Sequence, residues 1–172
     1  MKKKIIILIL VIIGIVTVGF VVKRTNIFSR PEPVKIVEPM IKPISSRQNV
    51  LNLSGQNLNK LPSGTFDKTD LDELNLSHNN LNGSLPSEVG RLQNLKVLNL
   101  SNNNFTGVPA EIGSLKNLEL LDLSNNSITG LPNELGNLTN LKYLDLTGND
   151  YSKSDLNEIK AKLPLFTVVK VG

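Results

Sequence analysis

The strongest constraint on the fold of this chain is a motif that recurs five times between residues 48 and 151. The second to fifth copies share the form L-x-x-L-x-L-x-x-N-x-φ, where φ is apolar or aromatic, and begin at residues 71, 95, 118 and 141. The first copy begins at residue 48, with Gln48 and Gln56 in place of the first Leu and the Asn. A unit this short cannot bury its own apolar face, so the copies must stack on one another.

Each copy predicts one short strand. Side chains alternate along a strand, so the two Leu of L-x-L point to one side and the residues between them to the other. Stacked copies therefore give a parallel sheet whose inner Leu form a continuous core. The first Leu column contains Leu74, Leu98, Leu121 and Leu144, and the second contains Leu76, Leu100, Leu123 and Leu146.

The ninth position of the second to fifth copies is an Asn, which turns the chain away from the strand. Its amide both donates and accepts hydrogen bonds, so it can satisfy backbone groups that a tight buried turn leaves without partners. We interpret this column as a structural ladder of buried Asn side chains. The column consists of Asn79, Asn103, Asn126 and Asn149.

The pattern resembles the leucine-rich repeat family over residues 48–172. The second halves of three units, at 83–95, 107–118 and 130–141, are similar to a subclass abundant in plant receptors and also seen in bacterial proteins. This resemblance implies an α/β solenoid with a parallel concave sheet and a 3₁₀ or extended convex side. Family members commonly act as recognition modules, which implies a protein or peptide partner. The absence of Cys caps favours a bacterial protein.

The predicted leucine-rich repeat domain, residues 47–172, comprises five repeats and a C-terminal cap at 152–172. Ser152 or Ser154 is a candidate N-cap for a helix over residues 155–163, and Pro164 ends that helix. The spacing L-x-x-L-x-L without the Asn then predicts a sixth, terminal strand. The residues that carry this spacing are Leu163, Phe166 and Val168.

An apolar run at residues 5–22 contains no charged residue and is flanked by the short basic tail 1–4 and by Lys23 and Arg24. A helix of that length spans about 27 Å, close to the hydrocarbon layer of a thin bilayer. The run is therefore predicted to be a transmembrane helix of the signal-anchor type. A cleaved signal peptide is the alternative, although no good small-residue cleavage site is present. Residues 23–46 are predicted to be a Pro-rich, extended linker.

The net charge of +4 is unevenly distributed along the chain. Residues 1–46 carry eight Lys and Arg against two acids, whereas residues 47–172 carry eleven against thirteen. Because the basic excess flanks the apolar run, we expect a membrane contact there and no nucleic-acid partner. The short basic start favours a cytoplasmic N-terminus, which makes this a single-pass membrane protein with its repeats on the extracytoplasmic side.

Residues with catalytic chemistry are few. The chain has no Cys and one His, His78, which excludes thiolate sites and a multi-histidine metal cage. Asp122 and Asp145 are predicted to lie on adjacent strands, but no nucleophile or cluster of metal ligands accompanies them. We expect no catalytic residue, no metal, no cofactor and no enzymatic activity.

The residues between the inner Leu face the concave side and form the candidate partner-binding surface. Apolar or aromatic side chains at the third position lie beside Asn and Asp at the fifth, and acids outnumber bases on this side. The candidate residues are Glu73, Val97, Asn99, Leu120, Asp122, Tyr143 and Asp145. In the alternative interpretation, these residue types recur because they suit a strand and because the unit was duplicated.

The sequence thus predicts a non-enzymatic, membrane-anchored recognition module that binds a protein or peptide on the concave face of its sheet. The alternative is a cell-envelope adhesion or carbohydrate-binding protein whose Asn and Asp columns contact glycans.

Overall fold

The computed structural model describes residues 49–172. In this range the chain forms eight short strands, three 3₁₀ helices and one α-helix. The strands are β1 (Val50–Asn52), β2 (Glu73–Asn75), β3 (Asn82–Ser84), β4 (Val97–Asn99), β5 (Asn104–Gly107), β6 (Leu120–Asp122), β7 (Tyr143–Asp145) and β8 (Val168–Lys170). The helices are η1 (Ser87–Arg91), η2 (Ala110–Ser114), η3 (Asn133–Asn137) and α1 (Lys153–Lys160).

Six strands form one parallel sheet in the order β1-β2-β4-β6-β7-β8, and β3 pairs with β5 in a second, two-stranded parallel sheet. Both Leu columns are as predicted: the members of the first are register partners, and the members of both are almost completely buried. Burying one such side chain contributes about 1.5–3 kcal/mol relative to leaving it exposed. The predicted solenoid with a parallel sheet is therefore confirmed.

The Asn column joins neighbouring units through their backbones. The side-chain oxygen of Asn103 accepts a hydrogen bond from the N–H of Leu81 at 3.1 Å, and its amide donates to the carbonyls of Leu76 and Leu100 at 2.9 and 3.1 Å. The carbonyl of Leu100 also accepts from Asn126 at 3.0 Å, so consecutive Asn side chains share a carbonyl. Asn79, Asn126 and Asn149 make the corresponding bonds, and Asn79 and Asn103 are the most buried of the four.

The eighth position of every unit adopts a left-handed backbone, which the sequence interpretation missed. The φ angles there are between 52° and 71° in all five units. Gly, Asn and His tolerate this region better than other residues, and these are the residues found. The position is occupied by Gly55, His78, Asn102, Asn125 and Gly148. A column restricted to Gly, Asn and His was the sequence signal for this turn.

The convex side consists of the three 3₁₀ helices, as predicted. Each begins directly after a Pro in an extended conformation, at Pro86, Pro109 and Pro132. A glycine in each helix allows the next unit to approach closely. A Cβ atom at Gly113, for example, would clash with the carbonyl oxygen of Glu134. The glycines of this column therefore set the distance between units.

The C-terminal cap differs from the prediction in two respects. The helix begins at Lys153 instead of residue 155 and ends at Lys160 instead of 163, with Ser152 as its N-cap. The terminal strand is also displaced, since Val169, and not Phe166, is the register partner of Leu144. The reason is a turn in which the Thr167 N–H donates to the Pro164 carbonyl at 2.9 Å, so the extended segment begins only at residue 168.

The predicted segments 1–4, 5–22 and 23–46 lie outside the described residues. Within residues 49–172, no helix is both long enough and apolar enough to cross a bilayer.

Candidate functional site

The concave face is built from two rows of side chains that cross the parallel sheet. Register pairing brings together Glu73, Val97, Leu120 and Tyr143 in one row, on β2, β4, β6 and β7. The second row contains Asn75, Asn99, Asp122 and Asp145, and runs beside the first on the same strands. The structure therefore places all seven candidate residues in two parallel rows. Along each strand, the buried Leu at the fourth position stands between the members of the two rows.

The candidate residues differ in their exposure. Glu73, Val97 and Asp145 are buried, with 9%, 6% and 5% of their surface exposed. Leu120, Tyr143, Asn99 and Asp122 are half-buried. The apolar surface available on this face is therefore centred on Leu120 and Tyr143, which are register partners on neighbouring strands.

The Asn and Asp side chains of the second row make hydrogen bonds within the fold. The side-chain oxygen of Asn99 accepts hydrogen bonds from both the backbone N–H and the hydroxyl of Ser101, at 3.0 and 2.8 Å. Asn75 binds Ser77 in the same way, and Asp122 accepts the N–H of Ser124 at 2.9 Å. Asn and Asp at this position thus close the end of each strand by bonding two residues ahead. The recurrence of these residues has a structural cause.

Asp145 is the centre of a polar cluster at the C-terminal end of the face. Its Oδ1 accepts from the N–H and hydroxyl of Thr147 at 2.9 and 2.5 Å, while Oδ2 lies 3.2 Å from the Tyr143 hydroxyl and 3.1 Å from Lys170 Nζ. Burial raises the pKa of the Asp145 carboxyl, but the hydrogen bonds from Thr147 and the contact with Lys170 outweigh burial and lower it below the ordinary value. Asp145 is therefore an ionised, fully engaged carboxylate.

The other members of this cluster are held in their usual protonation states. Burial, followed by the charge of Asp145 and its hydrogen bond, raises the pKa of Tyr143, which stays a neutral phenol. The hydrogen bond and charge of Asp145 raise the pKa of Lys170, which stays protonated. With Asp145 ionised, no group in the cluster has the pKa of a general acid or base near neutral pH. The cluster orients Tyr143.

Lysines pair with acids of neighbouring units on the concave side. Lys96 Nζ lies 2.6 Å from Asp72 Oδ1, and Lys142 Nζ lies 2.9 Å from Glu119 Oε2. With Lys170 on Asp145, three acids of this face are paired across strands. Lys170 was missed by the sequence interpretation because the terminal strand was placed three residues early. The spacing of Phe166, Val169 and Val171 also fits L-x-x-L-x-L, and in that frame residue 170 follows Asp145 in the second row.

Two further observations concern candidate chemistry among the described residues. His78 is exposed and lies at the left-handed turn position, with a φ of 55°. Within residues 49–172, no group of three His, Asp or Glu side chains is arranged to hold a metal ion. The concave face presents the half-buried Leu120 and Tyr143 beside a row of Asn and Asp side chains, a combination that suits binding.

Comparison with known proteins bears on this surface. A family model described as a leucine-rich repeat region matches residues 71–161, a little over half of the chain. Among solved structures, a leucine-rich repeat protein of Leptospira interrogans is 40% identical, with a TM-score of 0.60 over 65% of this chain. The match covers 28% of that protein, so this chain spans much less than its full length. A search of the curated proteins found no match.

Plant receptor ectodomains are also similar to this chain. The BIR3–SERK2 complex of Arabidopsis thaliana matches with 33% identity and a TM-score of 0.58, over 71% of this chain and 66% of that one. The Arabidopsis receptor kinase HAESA, solved with the peptide hormone IDA and the co-receptor SERK1, matches with 32% identity and a TM-score of 0.51. That match covers 65% of this chain and 19% of the other.

Proposed function

Because this chain belongs to the leucine-rich repeat family, we propose that it is a non-enzymatic, membrane-anchored recognition module for a protein or peptide. Leucine-rich repeat proteins are generally non-enzymatic recognition modules. In this proposal the partner binds the concave face, and residues 5–22 hold the module in the membrane. The repeats lie on the extracytoplasmic side.

The observation that carries the binding proposal is the pairing of the half-buried Leu120 and Tyr143 on neighbouring strands of the concave face. An aromatic residue beside an aliphatic one is typical of the anchor points of protein interfaces. The Asp145 cluster holds the Tyr143 hydroxyl, which reduces the entropy that this ring would lose on binding. The internal use of the Asn and Asp row favours a partner that contributes apolar side chains over a glycan, which would need free hydrogen-bonding groups.

Similar proteins support a partner of this class. The BIR3–SERK2 structure is a complex of two proteins, and the HAESA structure contains a peptide hormone and a co-receptor. Protein and peptide recognition on this type of scaffold is thus represented among the similar structures.

The binding experiment compares two variants of the full chain that carry equal added charge. A peptide is first selected from a random library on the wild-type chain, and its affinity is then measured by calorimetry. We expect Leu120→Asp with Tyr143→Asp to weaken binding at least about tenfold. The control is Asn137→Asp with Thr139→Asp, at two exposed positions, the last residue of η3 and the second residue after it.

Equal affinities for the two variants, with both folds intact by circular dichroism, would show that the concave face is not the binding surface. The proposed location is tested separately by protease treatment of intact cells. Cleavage of the repeats from outside supports the extracytoplasmic side, and complete protection until the cells are lysed refutes it.

A further inference from the structure

The C-terminal end of the solenoid carries two large apolar side chains at the tip of a turn. The turn runs from Pro164 to Thr167 and is closed by the hydrogen bond between their backbones. Its two central residues, Leu165 and Phe166, have relative exposures of 105% and 75%. Val168 and Val171 next to the turn are exposed as well. Central turn positions ordinarily favour Gly, Pro, Asn, Asp or Ser, so turn formation does not explain a Leu-Phe pair.

Leu165 and Phe166 differ from the residues at the equivalent positions of the earlier repeats. In the frame set by β8, Leu165 occupies the position that three preceding units fill with an Asn. Each of those Asn side chains donates a hydrogen bond to the backbone of the unit before it, at 2.8 to 3.3 Å. The residues are Asn94, Asn117 and Asn140. Phe166 likewise occupies the position of the fully buried Leu95, Leu118 and Leu141, yet it lies in the solvent.

Positive charge lies beside the turn. Residues 159–172 contain three lysines and no Asp or Glu; Lys170 is paired with Asp145, which leaves Lys160 and Lys162. Lys160 and Lys162 are exposed, and Lys160 lines the same surface groove as Leu165. The end of the solenoid therefore combines protruding apolar side chains with flanking ammonium groups.

We propose that this end of the solenoid docks on an anionic lipid surface, with Leu165 and Phe166 inserted between the headgroups. Apolar side chains that enter the headgroup region, together with lysines that contact lipid phosphates, are the two elements of interfacial membrane binding. A second copy of the chain is a poorer occupant, because end-to-end contact would bring the lysines of both copies together. Docking through the end leaves the concave face accessible, and it does not depend on the proposed function.

The test uses a single tryptophan as a local probe, since the chain contains none. Full-length Phe166→Trp is mixed with vesicles of phosphatidylcholine and anionic phosphatidylglycerol in equal parts, with bromine atoms on the acyl chains. Leu165→Trp is a second, independent probe of the turn. Thr106→Trp, at an exposed position of β5 in the middle of the solenoid, is the matched control. The emission of these probes reports on their own positions whether or not residues 5–22 insert.

We expect the emission of both turn probes to shift to shorter wavelength and to be quenched by the brominated lipid, while the Thr106→Trp control is not. Adding Lys160→Glu and Lys162→Glu to Phe166→Trp is expected to lower the ratio of lipid-docked to undocked protein more than tenfold. The reason is that each lysine lost weakens binding to an anionic surface roughly fivefold. Turn probes that emit as in water would overturn the proposal. An emission shift that depends on protein concentration and shows no quenching would mean that the turn contacts a second copy of the chain and not lipid. Equal quenching of the control would show that the protein adsorbs to the vesicles without using the turn.

Discussion

Replacing Asn103 with alanine tests whether the Asn column holds the solenoid together. The substitution removes the acceptor of the buried Leu81 N–H and the donor to three carbonyls. The three carbonyls keep a partner, because Leu76 also accepts from Asn79, Leu100 from Asn126, and Ser101 from the His78 N–H. One backbone N–H is therefore left without a partner, and three further hydrogen bonds are lost.

The magnitude follows from these groups. A buried N–H without a partner costs about 1–3 kcal/mol, and each of the other hydrogen bonds contributes about 0.5–1.5 kcal/mol. We expect Asn103→Ala to lower the free energy of unfolding by about 3 kcal/mol or more. In a domain of this size that corresponds to a fall in Tm of roughly 10 °C.

The assay is thermal and urea unfolding followed by circular dichroism. Asn104→Ala is the matched control, because residue 104 is the next residue along the chain and is exposed. The control is expected to change stability by less than about 0.5 kcal/mol. If the two variants lost the same stability, the hydrogen-bond reasoning would be refuted and the recurring spacing of the turn alone would explain the column.

Three further predictions test other parts of the fold. Gly113→Ala places a Cβ atom against the backbone of Glu134 and is expected to lower the free energy of unfolding in urea by about 1–3 kcal/mol. Gly130→Ala, whose Cβ meets nothing within 4 Å, is expected to be nearly neutral. His78→Val puts a β-branched residue at a positive φ and should cost about 1–2 kcal/mol, while His78→Gly should not lower Tm. Asp145 has a lowered pKa in the fold, so its contribution to stability is present above the ordinary carboxyl pKa of about 4 and is lost as the pH falls through the lower folded-state value. Asp145→Asn should therefore reduce stability at neutral pH and flatten the decline of stability in acid. An unchanged dependence of stability on pH would contradict this.

The concave face was largely predictable because it depends on periodicity. Alternation along each strand put Leu120 and Tyr143 on the same side, and equal repeat lengths placed them next to each other. The polar contacts were not predictable in the same way. That Asn99 bonds Ser101, or that Lys96 pairs with Asp72, depends on side-chain conformations across a few ångströms. The sequence alone therefore showed where these groups lie and not which of them are already engaged.

The repeat length and the Leu spacing by themselves determined a stacked parallel solenoid, because no other arrangement buries every Leu of a unit so short. Only the tertiary structure decided how the array ends. Two alignments of the last segment satisfy the L-x-x-L-x-L pattern, and the backbone turn at Pro164 selects the one that pairs Val169 with Leu144. That choice brings Lys170 to Asp145 and leaves Leu165 and Phe166 in the solvent. The sequence could not make this choice, because a spacing pattern does not determine where a turn starts.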